Sequence, residues 1–272
     1  MPKLVLRHEG EEYTLETFSE LDHIHLAIKK SGTFYEIDVL KWIKRLDRRG
    51  VYVDVGANIG NHTVFFATQC PSIEVFAMEG NPQILPLLKT NVDNIILAHR
   101  KVTIIERFIS NRNQVEFFPA GNENAGMSSV RSVDETQGGD RETYPALSLD
   151  EALSGIEHIA FIKIDAEGHE LEVIDSALKT LEKWKPALMI ESWDYPGPLA
   201  GTLRKLGYVL VYADNQYNFG FIFMGRFLAK VDSAVGKSPR FLRSHLQGTW
   251  RSIVFFIRRF SNQYGNNPVI TR

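Results

Sequence analysis

The sequence has little cysteine and no long run of apolar residues. Cys70 is the single cysteine among 272 residues, which excludes an internal disulfide and a cysteine-rich metal site. The longest apolar run near the C-terminus, Ile253–Ile257, is far shorter than the ~20 residues that cross a bilayer. Met1–Glu20 carries charges and no apolar stretch, unlike a signal peptide. We therefore expect a cytoplasmic protein.

Basic residues are scarce relative to acidic ones outside the C-terminal region. From Arg226 onward there are nine Lys or Arg residues and one acid, whereas residues 1–225 carry 22 basic and 32 acidic residues. A long nucleic-acid substrate needs a basic track that neutralises its phosphates. The acidic balance of residues 1–225 therefore argues against nucleic acid as a partner.

The length and composition fit one α/β domain with additions. Hydrophobic residues make up 44% and charged residues 24%, the balance of a globular protein with a sizeable core. We predict an N-terminal cap segment over residues 1–46, a Rossmann-like domain over 47–225, and a basic helical tail over 226–272.

From Val51 onward, short β-rich apolar runs alternate with helical stretches. The predicted strands are Val51–Val55, Ile73–Met78, Val102–Ile109, Ile159–Ile164 and Ala187–Glu191, with a closing hairpin of Tyr208–Tyr212 and Tyr217–Met224. The predicted helices are Asn61–Thr68, Pro82–Ala98, Leu149–Leu153 and His169–Trp184, preceded by polar β segments and a helix over Glu36–Leu46. This alternation indicates a Rossmann-like, seven-stranded, mostly parallel sheet with helices on both faces. We also expect an antiparallel pair around Val102–Ser110 and Gln114–Pro119.

The turn after the first predicted strand carries the strongest functional signal. Its sequence from Val53 to Asn61 is VDVGANIGN, at the strand end where open α/β sheets bind ligands. The glycines allow a sharp bend and a close backbone approach to a ligand, and the acid places a carboxylate beside them. The cofactor-binding candidates in this turn are Asp54, Gly56, Asn58, Gly60 and Asn61.

Dinucleotide binding is the main alternative for this turn. It requires the spacing Gly-x-Gly-x-x-Gly around a pyrophosphate, whereas Gly56 and Gly60 have the spacing Gly-x-x-x-Gly. A carboxylate repels pyrophosphate but suits S-adenosylmethionine, which has an ammonium, a sulfonium and no phosphate. The turn therefore favours a methyltransferase over a nucleotide-binding oxidoreductase. A structural turn and a non-catalytic module that binds S-adenosylmethionine remain open.

The second predicted strand ends with an acid that supports the same reading. Glu79 is placed to accept hydrogen bonds from both ribose hydroxyls, although dehydrogenases share this feature. A solvated acid at the strand end is the plainer alternative. Asn81 and Phe108 are further cofactor-binding candidates of these strands, and Asp165, at the end of the fourth predicted strand, is the last of the set.

Six blocks of the sequence resemble the FkbM family of methyltransferases. They are Val53–Gly60, Glu79–Pro82, Asn124–Ser129, Ser148–Asp150, Ile162–Glu170 and Pro186–Glu191. The fifth block, with the pattern Lys-x-Asp-x-Glu-Gly-x-Glu, is the most specific, while Gly80 departs from the proline usual in the family. The resemblance implies a class I methyltransferase fold, S-adenosylmethionine as donor, and O-methylation, often of sugars in glycans or natural products.

An acidic cluster surrounds a lysine in the fourth predicted strand. Lys163 lies in an otherwise apolar run, and a buried cation is costly unless it is paired. We expect it to pair with Asp165 and with Glu191 at the end of the next strand. Glu167 and His169 occupy the following turn, where an acid also suits a helix N-terminus.

Methyl transfer to a sugar hydroxyl requires removal of a weakly acidic proton from a positioned acceptor. The catalytic candidates, led by the first two, are Asp165, Glu191, Glu167, His169 and Lys163. A divalent metal such as Mg²⁺, held by the first three carboxylates, is a less favoured alternative. Because the sequence shows no dedicated metal spacing, we predict no metal site.

Two regions outside the sheet bear on partners. Ser244–Phe260 predicts a basic amphipathic helix, which would allow peripheral membrane association; packing on its own domain or a homodimer contact are the alternatives. The acceptor, a small molecule or a glycan, is expected to meet the loop Ala120–Thr143, the N-terminal segment, and the residues after Glu191, namely Trp193, Asp194 and Tyr195.

Overall fold

The computed structural model describes residues 1–96, 101–119, 128–132, 142–214 and 217–225. The strands are β1 (Lys3–His8), β2 (Glu11–Glu16), β3 (Gly50–Val55), β4 (Ser72–Met78), β5 (Val102–Ile105), β6 (Phe108–Ile109), β7 (Gln114–Phe118), β8 (Ser129–Ser132), β9 (Thr143–Leu147), β10 (Ile159–Ile164), β11 (Ala187–Glu191), β12 (Tyr208–Ala213) and β13 (Asn218–Phe223). The helices are α1 (His23–Ser31), α2 (Ile37–Arg45), α3 (Asn61–Gln69), α4 (Leu85–Ile96), α5 (Leu149–Ala152), α6 (Glu170–Asp175), α7 (Leu178–Trp184) and α8 (Gly197–Leu206).

The central sheet of the described chain has seven strands in the order β12-β13-β11-β10-β3-β4-β5. Among these seven strands, β13 alone runs in the direction opposite to the other six, so the sheet is mixed and mostly parallel, as predicted. The chain passes from β3 to β4 and β5 on one side, whereas β10 and β11 lie on the other. The strand order therefore reverses between β3 and β10, and open α/β sheets bind ligands in the crevice outside the carboxyl ends of such strands.

Apolar side chains form a core on each face of the sheet because neighbours along a strand point to opposite faces. In β3, Tyr52 belongs to the core that contains residues of α2 and α3, whereas Val53 and Val55 belong to the core that contains residues of α6, α7 and α8. Helices thus cover both faces. The predicted N-terminal cap shares the first core, where the rings of Phe34 and Phe65 lie 5.3 Å apart.

A second sheet, with the order β6-β9-β7-β8, is inserted after β5 and corrects two predictions. The single strand predicted over Val102–Ile109 is wrong, because β5 ends at Ile105 and β6 pairs with β9 instead. The amide of Arg107 donates to the carbonyl of Ile105, which marks the break. The predicted partner of Gln114–Pro119 is also wrong, since β7 pairs with β8 and β9.

Two helix predictions need correction as well. The helix predicted over His169–Trp184 divides into α6 and α7, and the backbone oxygen of Ser176 at the break accepts a hydrogen bond from the amide of Asp150. Helix α1 lies where polar β segments alone were expected. Asp22 caps it by accepting hydrogen bonds from two amides, and Gly32 ends it in the left-handed conformation.

Some predictions concern residues outside the described part of the chain. These are the tail 226–272 with its helix 244–260, most of the loop 120–143, and residues 124–127 of one family block. In the described part, no helix combines the length and apolar character that a membrane span requires.

Gly220 in β13 lies directly against the indole of Trp42, which stacks on Tyr212 with ring centroids 4.7 Å apart. A Cβ at Gly220 would overlap the Trp42 ring. We predict that Gly220→Ala lowers the free energy of unfolding by about 1–3 kcal/mol, the usual cost of overpacking, measured by urea denaturation.

Gly201→Ala is the matched control, because a Cβ at Gly201 in α8 meets nothing within 4 Å. Alanine favours a helix over glycine by about 0.5–1 kcal/mol, so this variant should equal or exceed the wild type. Equal stability of Gly220→Ala and the wild type would contradict the packing argument.

Candidate functional site

A cavity of about 660 Å³, partly open to solvent, lies outside the carboxyl ends of β3, β4 and β10. Six of the predicted cofactor-binding residues line it: Gly56, Asn58, Glu79, Asn81, Phe108 and Asp165. Three of the predicted catalytic residues also line it: Asp165, Glu167 and His169. The second sheet contributes Phe117 and Val130 to the same wall.

The glycine turn packs against the end of β10. Gly56 has a φ of 71°, and a Cβ there would overlap the carbonyl oxygen of Asp165. The amide of Asp165 donates to the carbonyl of Val55 at 3.1 Å. Only glycine allows this approach, so Gly56 brings the turn and Asp165 to one wall of the cavity.

Glu79 is held by the backbone on both carboxylate oxygens. The amide of Asn58 donates to one oxygen at 2.9 Å, and the amide of Asn81 donates to the other at 2.8 Å. Burial raises the pKa of Glu79 above its usual range, although these two hydrogen bonds oppose the shift. Each oxygen keeps a second lone pair, so the carboxylate can also accept hydrogen bonds from two ligand hydroxyls.

Gly80 makes room for the aromatic wall of the cavity. A Cβ at Gly80 would overlap the ring of Phe108, whose centroid lies 5.2 Å from that of Phe117. The departure from the family pattern at Gly80 therefore accompanies an aromatic ring packed against that position.

Lys163 is the buried cation of the site. Its ammonium lies 3.2 Å from Asp54 Oδ1 and 3.1 Å from Asp165 Oδ2, and it donates to the carbonyl of Gly56 at 2.8 Å. Burial alone would lower the pKa of Lys163, but the two carboxylates raise it above its ordinary value, so the lysine stays charged. The pairing with Asp165 was predicted; the second partner is Asp54 rather than Glu191.

Three predicted cofactor-binding residues are not on the described wall of the cavity. Asp54 lies on the opposite face of β3 from Val55, because side chains alternate along a strand, and it accepts a hydrogen bond from Thr63 at 2.6 Å. Gly60 packs against α4, and Asn61 bonds the backbone of Tyr35. These three residues therefore support the glycine turn through contacts outside the cavity wall.

Two acids of the predicted catalytic set hold protons unusually strongly. Burial, with the nearby charge of Asp165, raises the pKa of Glu167 to about 8. Burial, with the charges of Asp165 and Glu36, raises the pKa of Glu191 to about 9. Glu191 follows Ile190, which pairs with Ile164 of β10, so Glu191 and Asp165 stand at adjacent strand ends.

His169 lies at the start of α6 and is buried. Its Nε2 lies 2.9 Å from the hydroxyl oxygen of Ser110, and its Nδ1 lies 3.8 Å from Glu172. Burial lowers the pKa of His169 below its ordinary value, against the raising effect of Glu172. The imidazole is therefore neutral at neutral pH and has one nitrogen engaged with Ser110.

The sequence reasoning missed a buried polar group beside Glu191. Glu36 adopts a left-handed backbone with φ 55°, and its carboxylate lies 3.2 Å from His62 Nε2 and accepts from Asn218 Nδ2 at 2.8 Å. Burial would raise the pKa of Glu36, but the His62 and Asn218 contacts lower it. In the sequence, Glu36 has only the signal of an acid at a predicted helix start.

Metal ligation was the less favoured alternative for the acids. Among the residues that the structure describes, no group of three or more His, Cys, Asp and Glu side chains has an arrangement suited to a metal ion. The metal-bound mechanism therefore gains no support from the geometry.

We predict that Lys163→Met lowers the free energy of unfolding by about 3–5 kcal/mol, because it leaves buried carboxylates without their cation. Adding Asp54→Asn should recover much of this loss, as judged by urea denaturation. Lys101→Met is the control, because Lys101 makes an exposed ion pair with Glu74 that should contribute less than about 1 kcal/mol. Equal losses in the two lysine variants would refute the buried-charge argument.

The raised pKa of Glu191, about 9, predicts a pH dependence of stability. Above pH 7 the unfolded chain has already lost this proton, whereas the folded chain loses it only as the pH approaches 9, so the free energy of unfolding should fall between pH 7 and 9. Glu191→Gln should make this fall shallower in urea denaturation, while Glu20→Gln, at an exposed position, should keep the wild-type slope. Parallel slopes in all three proteins would count against the protonated Glu191.

Comparisons with known proteins agree with this geometry. The family model described as the methyltransferase FkbM domain matches residues 54–210, more than half of the chain. No curated protein matches the sequence.

Several solved structures of methyltransferases align with part of this chain. The FkbM methyltransferase from Methylobacillus flagellatus KT is 17% identical, with a TM-score of 0.46 over 65% of this chain and 44% of that one. The precorrin-6y C5,15-methyltransferase from Geobacter metallireducens GS-15 is 15% identical, with a TM-score of 0.42 over 69% of this chain and 86% of that one. The chain thus spans less than half of the Methylobacillus protein.

The family match confirms the resemblance carried by the sequence blocks. It covers the glycine turn, Glu79, Lys163, Asp165 and Glu191. The chain belongs to the FkbM family of S-adenosylmethionine-dependent methyltransferases.

Proposed function

We propose that this protein is an O-methyltransferase that acts on a hydroxyl of a sugar, a glycan or a related natural product. The observation that carries the proposal is the excess of carboxylates at the crevice where the strand order reverses. Three acids, Asp165, Glu167 and Glu79, line the cavity together with one basic residue, Arg107, and the ammonium of Lys163 is buried behind Asp165. Such a site favours a cationic ligand over a pyrophosphate.

The cavity offers separate contacts for the parts of S-adenosylmethionine, which supplies the methyl group. Glu79 would accept hydrogen bonds from the two ribose hydroxyls, since backbone amides already hold its carboxylate in place. Phe108 would pack against the adenine. Asp165 and Glu167 would face the positively charged end of the cofactor, whose approach would favour loss of the Glu167 proton.

Asp165 is the first choice for the base that receives the hydroxyl proton. It stands between the cavity and Glu191, and Lys163 fixes one of its oxygens. Glu191, with a pKa of about 9, carries its proton at neutral pH and would donate a hydrogen bond to the acceptor. His169 is less suited, because its Nε2 is engaged with Ser110.

Two other functions remain as alternatives, and each has its own test. A Rossmann-type oxidoreductase would bind a nicotinamide dinucleotide, but its pyrophosphate would meet the carboxylate of Asp165 on the cavity wall. A non-catalytic module would bind S-adenosylmethionine without turnover. Calorimetry with S-adenosylmethionine and with a nicotinamide dinucleotide distinguishes a methyltransferase from the oxidoreductase. An assay of methyl transfer distinguishes it from the non-catalytic module.

Gly80→Ala tests the placement of the cofactor. The added methyl would displace the Phe108 ring, so we predict about tenfold or greater loss of affinity for S-adenosylmethionine in calorimetry. Gly201→Ala, which adds its methyl in open space, should keep the wild-type affinity. Unchanged affinity in Gly80→Ala would remove Phe108 from the cofactor site.

A screen with labelled S-adenosylmethionine over sugars, nucleotide-sugars, glycolipids and phenolic compounds tests the function itself. We predict transfer to a saccharide hydroxyl, reduced about 10²–10⁴-fold in Asp165→Asn and Glu191→Gln, with cofactor affinity retained in Glu191→Gln as measured by calorimetry. Transfer only to non-saccharide acceptors would refute the substrate class. Wild-type rates in both variants would remove the two acids from the chemistry, and full activity in excess EDTA would end the metal alternative.

A further inference from the structure

Two large aromatic side chains are exposed next to the carboxylate cluster. Trp193 is 59% exposed and Tyr217 is 44% exposed. Their ring centroids lie 4.3 Å apart with an angle of 30° between the planes. Tyr217 covers one face of the indole, and the high exposure of Trp193 leaves apolar surface open for a ligand.

The aromatic pair stands on the same edge of the sheet as the predicted catalytic acids. Trp193 follows Glu191 by two residues, and Tyr217 precedes Asn218, which pairs with Glu191 across β11 and β13. The amide of Ser192 donates to the carbonyl of Tyr217 at 3.0 Å and joins the two segments. The pair is therefore beside Glu191 and one strand away from the end of β10.

The segment that carries Tyr217 is fixed in a conformation that is rare for a side chain of this size. Tyr217 has a φ of 68°, which costs free energy unless the surroundings hold it. Asn218 supplies the hold: its amide donates to Asp214 Oδ1 at 2.9 Å and its side chain donates to Glu36 at 2.8 Å. The hydrogen bond from the Asn218 side chain also links the segment of Tyr217 to the buried Glu36.

We infer that Trp193 and Tyr217 form the acceptor platform of this enzyme, on which the apolar face of a sugar ring stacks. The inference rests on the proposed function and names its substrate-binding surface. The C–H groups of a sugar ring carry partial positive charge and fit the electron-rich face of an indole. The ring hydroxyls would then point toward Glu191 and Asp165, which can accept or donate hydrogen bonds to them.

The surrounding charges favour a saccharide over a purely apolar partner. The exposed Asp194 follows Trp193 directly in the sequence, and an apolar partner would desolvate this carboxylate without replacing its hydrogen bonds to water. A saccharide combines the apolar ring face with hydroxyl donors. A saccharide could therefore pack on the aromatic pair and donate hydrogen bonds to the acids at the same time.

Binding to an immobilised array of mono- to tetrasaccharides tests the platform without turnover. The full-length protein is applied with saturating S-adenosylhomocysteine, as wild type and as Trp193→Ala, Trp193→Phe and Ile73→Ala. Ile73 is the matched control, because it is 50% exposed at the amino end of β4, on the opposite edge of the sheet. Circular dichroism melting checks that each variant is folded.

We expect the wild type to bind at least one saccharide class, and Trp193→Ala to bind it about tenfold or more weakly. Trp193→Phe keeps a stacking face and should stay within about threefold of the wild type, and Ile73→Ala should match it. Saccharide binding that is unchanged in Trp193→Ala, or no saccharide binding by the wild type, overturns the inference.

A parallel assay of methyl transfer separates failure of the platform from failure of the proposed function. Transfer to a phenolic or other non-saccharide acceptor at equal rates in wild type and Trp193→Ala would overturn the platform while leaving a methyltransferase. Saccharide binding that depends on Trp193, together with no binding of S-adenosylmethionine, would support the platform and refute the proposed transfer.

Discussion

The ammonium of Lys163 lies between two carboxylates from different strands and also donates to the glycine turn. Through Asp54 it fixes the end of β3, through Gly56 it fixes the turn, and through Asp165 it fixes a carboxylate on the cavity wall. A buried ion pair of this kind contributes little net stability compared with apolar packing. The ion pair instead fixes the positions of these groups, because removing any one charged partner leaves the others buried with unbalanced charge. The part of the cavity wall formed by the glycine turn and Asp165 therefore depends on the ammonium of Lys163.

One cation among several acids also determines how the remaining carboxylates behave. Lys163 balances two of them, so Glu167 and Glu191 have no equivalent partner in the described structure and hold their protons near neutral pH. The site thus contains acids of the same type in different protonation states. A cationic ligand in the cavity would change this balance, since a nearby positive charge favours the ionised form. Cofactor binding and proton release are physically coupled in such an arrangement.

Local patterns were enough to predict the sheet, the glycine turn and the position of Glu79 at the end of a strand, because each depends on residues close together in the sequence. The partner of Lys163 could not be chosen in this way. Asp54 and Glu191 both lie at ends of strands that neighbour β10, and which of them meets the ammonium depends on packing. Glu36 was missed for a related reason: it acts through His62 and Asn218, which are far away in the chain. The second sheet escaped prediction because its strands are short and most of its pairings join residues far apart in the sequence.

The site has two sides that meet at Asp165. On one side, Phe108 and the second sheet form one wall of the cavity, where we propose that the nucleoside of the cofactor binds. On the other side, the N-terminal segment brings Glu36 against Asn218, and through it against the segment of Trp193 and Tyr217. An in-line displacement needs donor and acceptor to approach one point from opposite directions. The glycine turn alone cannot provide this second approach, because it lies on the cavity side. The N-terminal segment and the closing hairpin have to build the second side.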